Sequence, residues 1–503
     1  MNHRREQRGP ARDARPRRRF GVITAIICCA CAVLVLAGCQ TMVVGRALSP
    51  LYDPFEVGGL PAQDGPSGVR DNAPQPTGDV RNTDHGDNDK LAVLAVNDVA
   101  EFWKQYYSDS LKGSFSPVAN LLSYDSRVKT GKKVCGEDTY KEPNAFYCPP
   151  EDLMAWDRGV FVPIARRYFG DITVAGLIGH EYGHAVQHMA KLVGKKTPGI
   201  VFEEQADCFG GVYLRWVAEG QSPRFIVSTG DGLDHVLAGV ISSRDPVITP
   251  KYKALIKQGH GTALDRVSAF QVGFVNGATA CAGIDMDEIK QRRGDLPLAL
   301  QPDPEGFLQT GEVPINEETL STLLEVLNKI FSPAKPPTLS LKAADCPDAH
   351  GGSPAAYCPA TNTITADLPA LQKLGKPANE SDYVLVQGDD TALSVVMSRY
   401  VLALEHERGV PLDSATAALR TACLTGVAHR KMADKVELPS GKSFVLTAGD
   451  LDEAVAGLLT NRLVASDVNG ATVPAGFTRI TAFRSGVTGD EQLCYARFRD
   501  DTG

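Results

Sequence analysis

Residues 175–188 read AGLIGHEYGHAVQH. His180 and His184 are four apart, so a helix through them puts both imidazoles on one face, with Glu181 beside the first. This is the H-E-x-x-H arrangement, in which two histidines bind Zn²⁺ and the glutamate serves as a general base. A third ligand should come from a following helix. Residues 202–211, FEEQADCFGG, supply it: Glu203 lies 19 residues after His184, and Asp207 lies four after Glu203. One turn apart, Glu203 could bind the metal while Asp207 accepts a hydrogen bond from a ligand imidazole. Glu204 is the alternative ligand, less well spaced from Asp207. A solvated acidic face is the competing reading of the three acids, and HEYGH upstream weighs against it. The chemistry would be metal-assisted hydrolysis. Three ligands leave one position for water, whose pKa the metal lowers toward about 7, and Glu181 takes its proton.

The elements that carry these residues are written twice. Cys135 and Cys148 are 13 apart, with Ala-Phe-Tyr-Cys-Pro at the second, and Cys346 and Cys358 are 12 apart, with Ala-Ala-Tyr-Cys-Pro. Cys208 and Cys281 are separated by 73 residues, Cys423 and Cys494 by 71. Arg266 and Arg479 each lie 15 before the last cysteine of their set, and FIVSTGDGLDHVLAGVISSR at 225–244 aligns with FVLTAGDLDEAVAGLLTNR at 444–462. The apolar helical pattern from Leu91 to Tyr107 has a counterpart at Leu320–Phe331. Residues 90–312 and 313–503 are therefore read as two copies of one domain. Eight cysteines allow on the order of 100 pairings. The repeat selects Cys135–Cys148, Cys208–Cys281, Cys346–Cys358 and Cys423–Cys494, with cross-repeat pairing left open.

The second copy acts as an internal control. Aligned through Tyr182 and Tyr400, it has Ser398 for His180, Arg399 for Glu181 and Leu402 for His184; aligned through Cys208 and Cys423, it has Ala418 for Glu203 and Ala422 for Asp207. Ligands, base and supporting acid are lost together, so residues 313–503 read as a metal-free pseudo-domain. Tyr182 and His188 have counterparts there, Tyr400 and His406, and so default to structural roles. His260 falls on Val473, and its loss alongside the ligands makes it a candidate to assist catalysis by hydrogen-bonding a developing oxyanion; an exposed histidine that drifted is the equal alternative. His235 reads as exposed.

HEYGHAVQ, EEQADCFGGV and HGTALDRVSAFQVGF at 260–274, with AFYCP at 145–149, resemble the bacterial putative neutral zinc metallopeptidase family across about residues 90–285. The resemblance implies a zincin-like metallopeptidase domain, one zinc ion on His180, His184 and Glu203, Glu181 as the catalytic residue, and a peptide or protein substrate. The family more often carries a second histidine where this chain has Ala185. The expected fold is mostly α with short β-strands (α+β), the active domain followed by a degenerate second copy. The HEYGH and Glu203 helices should face each other across the metal, and a strand-like segment near Phe146–Trp156 could align an extended substrate.

The first 38 residues read as an address. Residues 1–19 hold eight Arg, Gly21–Ala37 is almost wholly apolar, and Leu36-Ala37-Gly38-Cys39 follows. That ending resembles a bacterial lipobox, which implies cleavage before Cys39, lipidation of Cys39 and attachment to the outer face of the bacterial cell membrane. A transmembrane helix over residues 20–38 is the alternative. Residues 39–89, rich in Pro, Gly, Asp and Asn without apolar period, read as a flexible tether. The 503 residues carry a net charge of −8, which argues against general nucleic-acid binding; 43% are hydrophobic, which excludes disorder throughout. The rival to an exported peptidase is a non-catalytic binding lipoprotein, in which the second copy docks a partner.

Overall fold

The computed structural model describes residues 52–131, 133–302, 306–342 and 346–500. The segment read as a signal (1–38) and Cys39, read as a lipidation site, lie outside the described residues. We number only the principal elements. The first half opens with helix α1 (Asp87–Ser110), whose Leu91, Leu94, Phe102 and Trp103 are buried. A four-stranded sheet follows, built from β2 (Val80–Arg81), β3 (Asn120–Tyr124), β4 (Ala145–Cys148) and β5 (Leu153–Asp157) in the order β2-β3-β5-β4. The β2–β3 and β3–β5 pairs are parallel, and β4 closes one edge as an antiparallel hairpin partner of β5. Five helices carry the remainder: α2 (Phe161–Phe169), α3 (Asp171–Met189), α4 (Gly199–Ala218), α5 (Asp231–Ser242) and α6 (Ala263–Asn276).

The second half repeats the sequence of elements. Helix α7 (Glu317–Phe331) precedes β6 (Thr338–Ser340), β7 (Ala355–Cys358) and β8 (Thr363–Ala366), again with a parallel pair (β6–β8) and an antiparallel hairpin (β7–β8). Helices α8 (Asp389–Glu407), α9 (Ala415–Met432), α10 (Asp450–Thr460) and α11 (Gly476–Val487) follow. The expected α+β class is thus what the chain adopts: helices dominate, and the sheets are small.

Glycines set the closest helix crossings. A Cβ on Gly273 of α6 would run into the carbonyl oxygen of Cys208 on α4, and one on Gly486 of α11 into that of Cys423 on α9. Each pair of helices thereby touches backbone to backbone. Disulfides clamp the same places. The four bonds are Cys135–Cys148, Cys208–Cys281, Cys346–Cys358 and Cys423–Cys494, the pairs selected by the repeat.

One expectation requires correction. Residues 52–86 are not a free tether. Val57 is fully buried, Gly68–Val69 pairs antiparallel with Phe225–Ile226, and Val80–Arg81 forms β2. Arg215 donates to the Gly58 carbonyl at 2.6 Å and Thr478 to that of Glu56 at 2.7 Å. A segment held through its backbone groups needs no apolar period, so composition misread it. The two halves cap each other. Asp234 on α5 accepts from Gly476 N at the start of α11 (2.8 Å), and Asp452 on α10 accepts from Ala263 N at the start of α6 (2.8 Å). The second oxygen of each aspartate takes an arginine: Arg479 on Asp234 at 3.1 Å and Arg244 on Asp452 at 3.2 Å. The two halves therefore meet across a reciprocal interface, in which each supplies the same cap to the other.

Candidate metal and catalytic site

Helix α3 runs against α4, and this crossing builds the site. Gly183, between the two histidines, faces Ala206: a Cβ there would sit 3.0 Å from the Ala206 Cα. The absence of a side chain lets α4 approach closely enough for Glu203 to reach the imidazoles. His180 Nε2 lies 3.4 Å and His184 Nε2 3.7 Å from Glu203 Oε2. The three donor atoms all fall within 4.8 Å of one another. Ligand atoms about 2.0–2.1 Å from a tetrahedral zinc ion sit roughly 3.3 Å apart, so the cluster fits that ion in size and in donor chemistry. Glu203 Oε2 is buried and makes no hydrogen bond, a state that a cation at this point would relieve.

Both imidazoles are oriented by their far nitrogens. His180 Nδ1 donates to Asp207 Oδ1 at 2.7 Å, as the four-residue spacing from Glu203 suggested. Asp207 in turn is gripped by Arg266, whose Nε and Nη2 reach its two oxygens at 2.8 and 2.7 Å. His184 Nδ1 lies 3.0 Å from Gln187 Oε1. The Gln187 amide nitrogen donates to Phe202 O and Gln205 Oε1, which leaves its oxygen as the acceptor. Nδ1 of His184 therefore carries the hydrogen, and in both histidines the Nε2 lone pair faces the cluster. Phe202 stacks on the His184 ring with centroids 4.1 Å apart.

Glu181 stands beside the cluster, 3.9 Å from His180 Nε2, and accepts the Tyr147 backbone N–H at 3.2 Å. Tyr147 lies on the edge strand β4, so the strand-like segment near Phe146–Trp156 is a hairpin whose outer strand touches the candidate base. Burial, reinforced by the charge of Glu203, pushes Glu181 up to about 7. Burial also pushes His184 down to about 4. Burial opposes the charge of Glu203, but the nearby His180 and His184 imidazoles prevail and hold it at about 2.

His260 approaches from the loop before α6. Its Nε2 is 3.5 Å from Glu203 Oε2, and its side chain is 53% exposed, placing it at the mouth of the cluster. Asp245 holds this loop by accepting the N–H groups of His260 (3.1 Å) and Gly261 (2.9 Å). Other candidates are not brought in. Glu204 is fully buried on the far side of α4 and pairs with Arg292, so it is not an alternative ligand. His188 is exposed and packs on Tyr147 and Phe202, outside the donor cluster. His235 is exposed.

Sequence reasoning missed Gln187, Phe202, Asp245 and the grip of Arg266 on Asp207. Gln187 carried a local signal, since it lies one helical turn past His184. Arg266 was noticed only as a marker of the repeat.

The equivalent place in the second half is filled. Arg399, at the position of Glu181, is buried and donates to Leu463 O, Asp467 O and Ser466 Oγ. Ser398 donates to Val395 O at 2.6 Å. Arg479 has no acid at Ala422 and turns instead to backbone carbonyls and Asp234.

Two imidazoles, a carboxylate and an adjacent buried glutamate define a metal-dependent hydrolase type of site. The family model described as "Putative neutral zinc metallopeptidase" matches residues 29–283, about half of the chain, and the chain belongs to that family. Uncharacterized proteins of Mycobacterium bovis and of two strains of Mycobacterium tuberculosis are each 26% identical over 204 residues, 37% of this chain. The chain spans 66% of the length of these curated relatives. No solved structure matches.

Proposed function

We propose that the chain is an exported, lipid-anchored zinc peptidase that cleaves peptide bonds at one site in its first half. The convergence of His180, His184 and Glu203 beside Glu181 carries this reading. Those three residues would hold one zinc ion. Zinc bound there supplies a Lewis acid that activates water near neutral pH and polarises a carbonyl. Glu181 takes the proton of the attacking water and returns it to the leaving amine. Its burial suits it to that exchange, because a carboxylate held near pH 7 both accepts and releases a proton. The edge strand β4 offers its backbone to an extended peptide, and His260 at the mouth donates to the oxyanion that develops on the attacked carbonyl. Asp207 with Arg266, and Gln187, keep the two imidazoles turned toward the cluster.

The second half is a degenerate copy without ligands, and its role is to buttress the first through the caps of Asp452 and Asp234. Lipidation at Cys39 anchors the chain at the outer membrane face. The decisive experiment compares purified wild type with Glu181→Gln. The variant is expected to keep one zinc per chain and lose peptide cleavage. Equal cleavage by both would remove Glu181 from the mechanism. Less than about 0.2 zinc per wild-type chain would favour the binding-lipoprotein reading, since three-ligand sites hold zinc tightly. Cys39→Ala should move the protein from the membrane fraction to the soluble exported fraction; unchanged membrane association would remove the lipid anchor.

A further inference from the structure

A second cluster of charged groups lies at the start of α8, away from the first site. Glu312, Asp389 and Glu453 bring one carboxylate oxygen each within 4.8 Å of the others. Each also spends an oxygen on a backbone N–H. Glu312 Oε2 accepts from Asp389 N at 3.1 Å, Asp389 Oδ2 from Val313 N at 3.0 Å, and Glu453 Oε2 from Asp390 N at 2.8 Å. These bonds fix the three groups in place. Asp389 is 4% exposed, and its Oδ1 is buried with no hydrogen-bond partner. Among the described residues, no lysine or arginine forms an ion pair with any of the three. The nearby His429 is taken by Asp390 at 2.9 Å.

Three negative groups held this close in a largely buried place repel one another, and an orphaned carboxylate oxygen adds its own desolvation cost. Two further observations indicate that the space between them is kept on purpose. The Oε1 atoms of Glu312 and Glu453 both crowd the bare Cα of Gly388, where any side chain would collide with them. The corresponding helix start in the first half is arranged differently: Asp171 there is paired with Arg166 at 2.9 Å, and the position of Glu453 is held by the exposed His235. The acid cluster therefore forms only at the start of α8, where Glu312 at the end of the first copy joins Asp389 and Glu453, and it lacks the arginine that the start of α3 has. Glu312 is exposed, which gives the cluster an opening to solvent.

We propose that Glu312, Asp389 and Glu453 form a calcium site that ties the segment before α7 to the start of α8 and to α10. The donors are all hard oxygens, with no histidine or thiol among them, which excludes a zinc preference. Three carboxylates suit Ca²⁺, whose flexible coordination takes six to eight oxygens, better than Mg²⁺, which keeps most of its waters and uses one or two carboxylates.

The test is calorimetric titration of CaCl₂ into the full exported chain in chelating-resin-treated buffer, with bound zinc measured in parallel. Wild type should bind one Ca²⁺, and its melting temperature should rise with added Ca²⁺. Glu453→Gln and the surface-accessible variant Glu312→Gln should each weaken Ca²⁺ binding at least tenfold while leaving the zinc content unchanged. No Ca²⁺ binding by wild type, or equal binding by wild type and both variants, overturns the site. Should Glu453→Gln fail to fold, Glu312→Gln decides alone, because its side chain lies at the opening. Zinc content reports on the first-half site separately, so the two readings stand or fall independently.

Discussion

Replacing Asp207 by Asn separates a positioning role from a merely structural one. Asn keeps the shape and one oxygen acceptor for His180 Nδ1, but it removes the charge that Arg266 grips with two bonds of 2.7 and 2.8 Å. Both partners are almost wholly inaccessible, with side-chain exposures of 4% for Arg266 and 1% for Asp207. Breaking a buried ion pair from one side costs about 3–5 kcal/mol, because the surviving charge is left uncompensated. Losing the carboxylate behind a ligand imidazole typically weakens metal binding about 10–100-fold, or roughly 1.4–2.7 kcal/mol. The double variant Asp207→Asn with Arg266→Met removes the stranded guanidinium. It should regain most of the stability of the metal-free protein, since deleting both partners is far less costly than deleting one. It should not regain zinc affinity, because His180 still lacks its carboxylate. Urea unfolding of the metal-free protein measures the first quantity, and competition with a chromophoric chelator measures the second. Zinc affinity within twofold of wild type in Asp207→Asn would refute the positioning role. Recovery of both quantities in the double variant would refute the separation.

Asp452→Ala leaves the Thr262–Asp265 capping box of α6 but removes the acceptor of the Ala263 N–H and one of the two carboxylates on Arg244, and should cost about 1–3 kcal/mol in urea unfolding; Asp234→Ala should cost a similar amount through α11. Gly273→Ala pushes a methyl group into the Cys208 carbonyl and should destabilise by about 1–3 kcal/mol, read as a lower melting temperature. A fragment of residues 52–312 loses the Asp452 cap and uncovers the faces of α5 and α6 that meet the second half; it should be insoluble or lose zinc, and a soluble, active fragment would contradict the buttress role.

The parts of the site that were legible in the sequence share one property: they are separated by a helical turn. His180 and His184, or Glu203 and Asp207, must share a face of any helix that contains them, whatever the rest of the chain does. The disulfides were legible for another reason, because a repeated spacing restricts pairing in a way that no single copy can. What escaped was set by contacts distant in sequence. Asp207 and Arg266 are 59 residues apart, and Asp452 and Ala263 are 189 apart; no periodicity links them. The stretch from residue 52 to 86 was misread because its attachment is mainly backbone pairing, to which hydropathy is blind. Glu204 was held open as a ligand because adjacent acids look alike in a string, whereas on a helix about 100° separates their directions, and Arg292 claims the one that faces away.

The reciprocal bonds of Asp452 and Asp234 give the second half a structural part in the site of the first. Helix α6 begins at Ala263, and three residues later Arg266 holds the acid behind His180. Thr262 and Asp265 form a capping box at that end, and the second half adds Asp452, which accepts the Ala263 N–H. Any change that lets α10 drift therefore moves the start of α6 and, through Arg266 and Asp207, the first imidazole of the cluster. The return cap, from Asp234 to Gly476, constrains the second half in the same way without any metal-site counterpart to orient, since Ala422 replaces the acid there. Ser398, Arg399 and Leu402 stand in the second half where the first has its donors and base, and Arg399 fills that interior with hydrogen bonds to the carbonyls of Leu463 and Asp467, while the residues that face the first half stay paired with it.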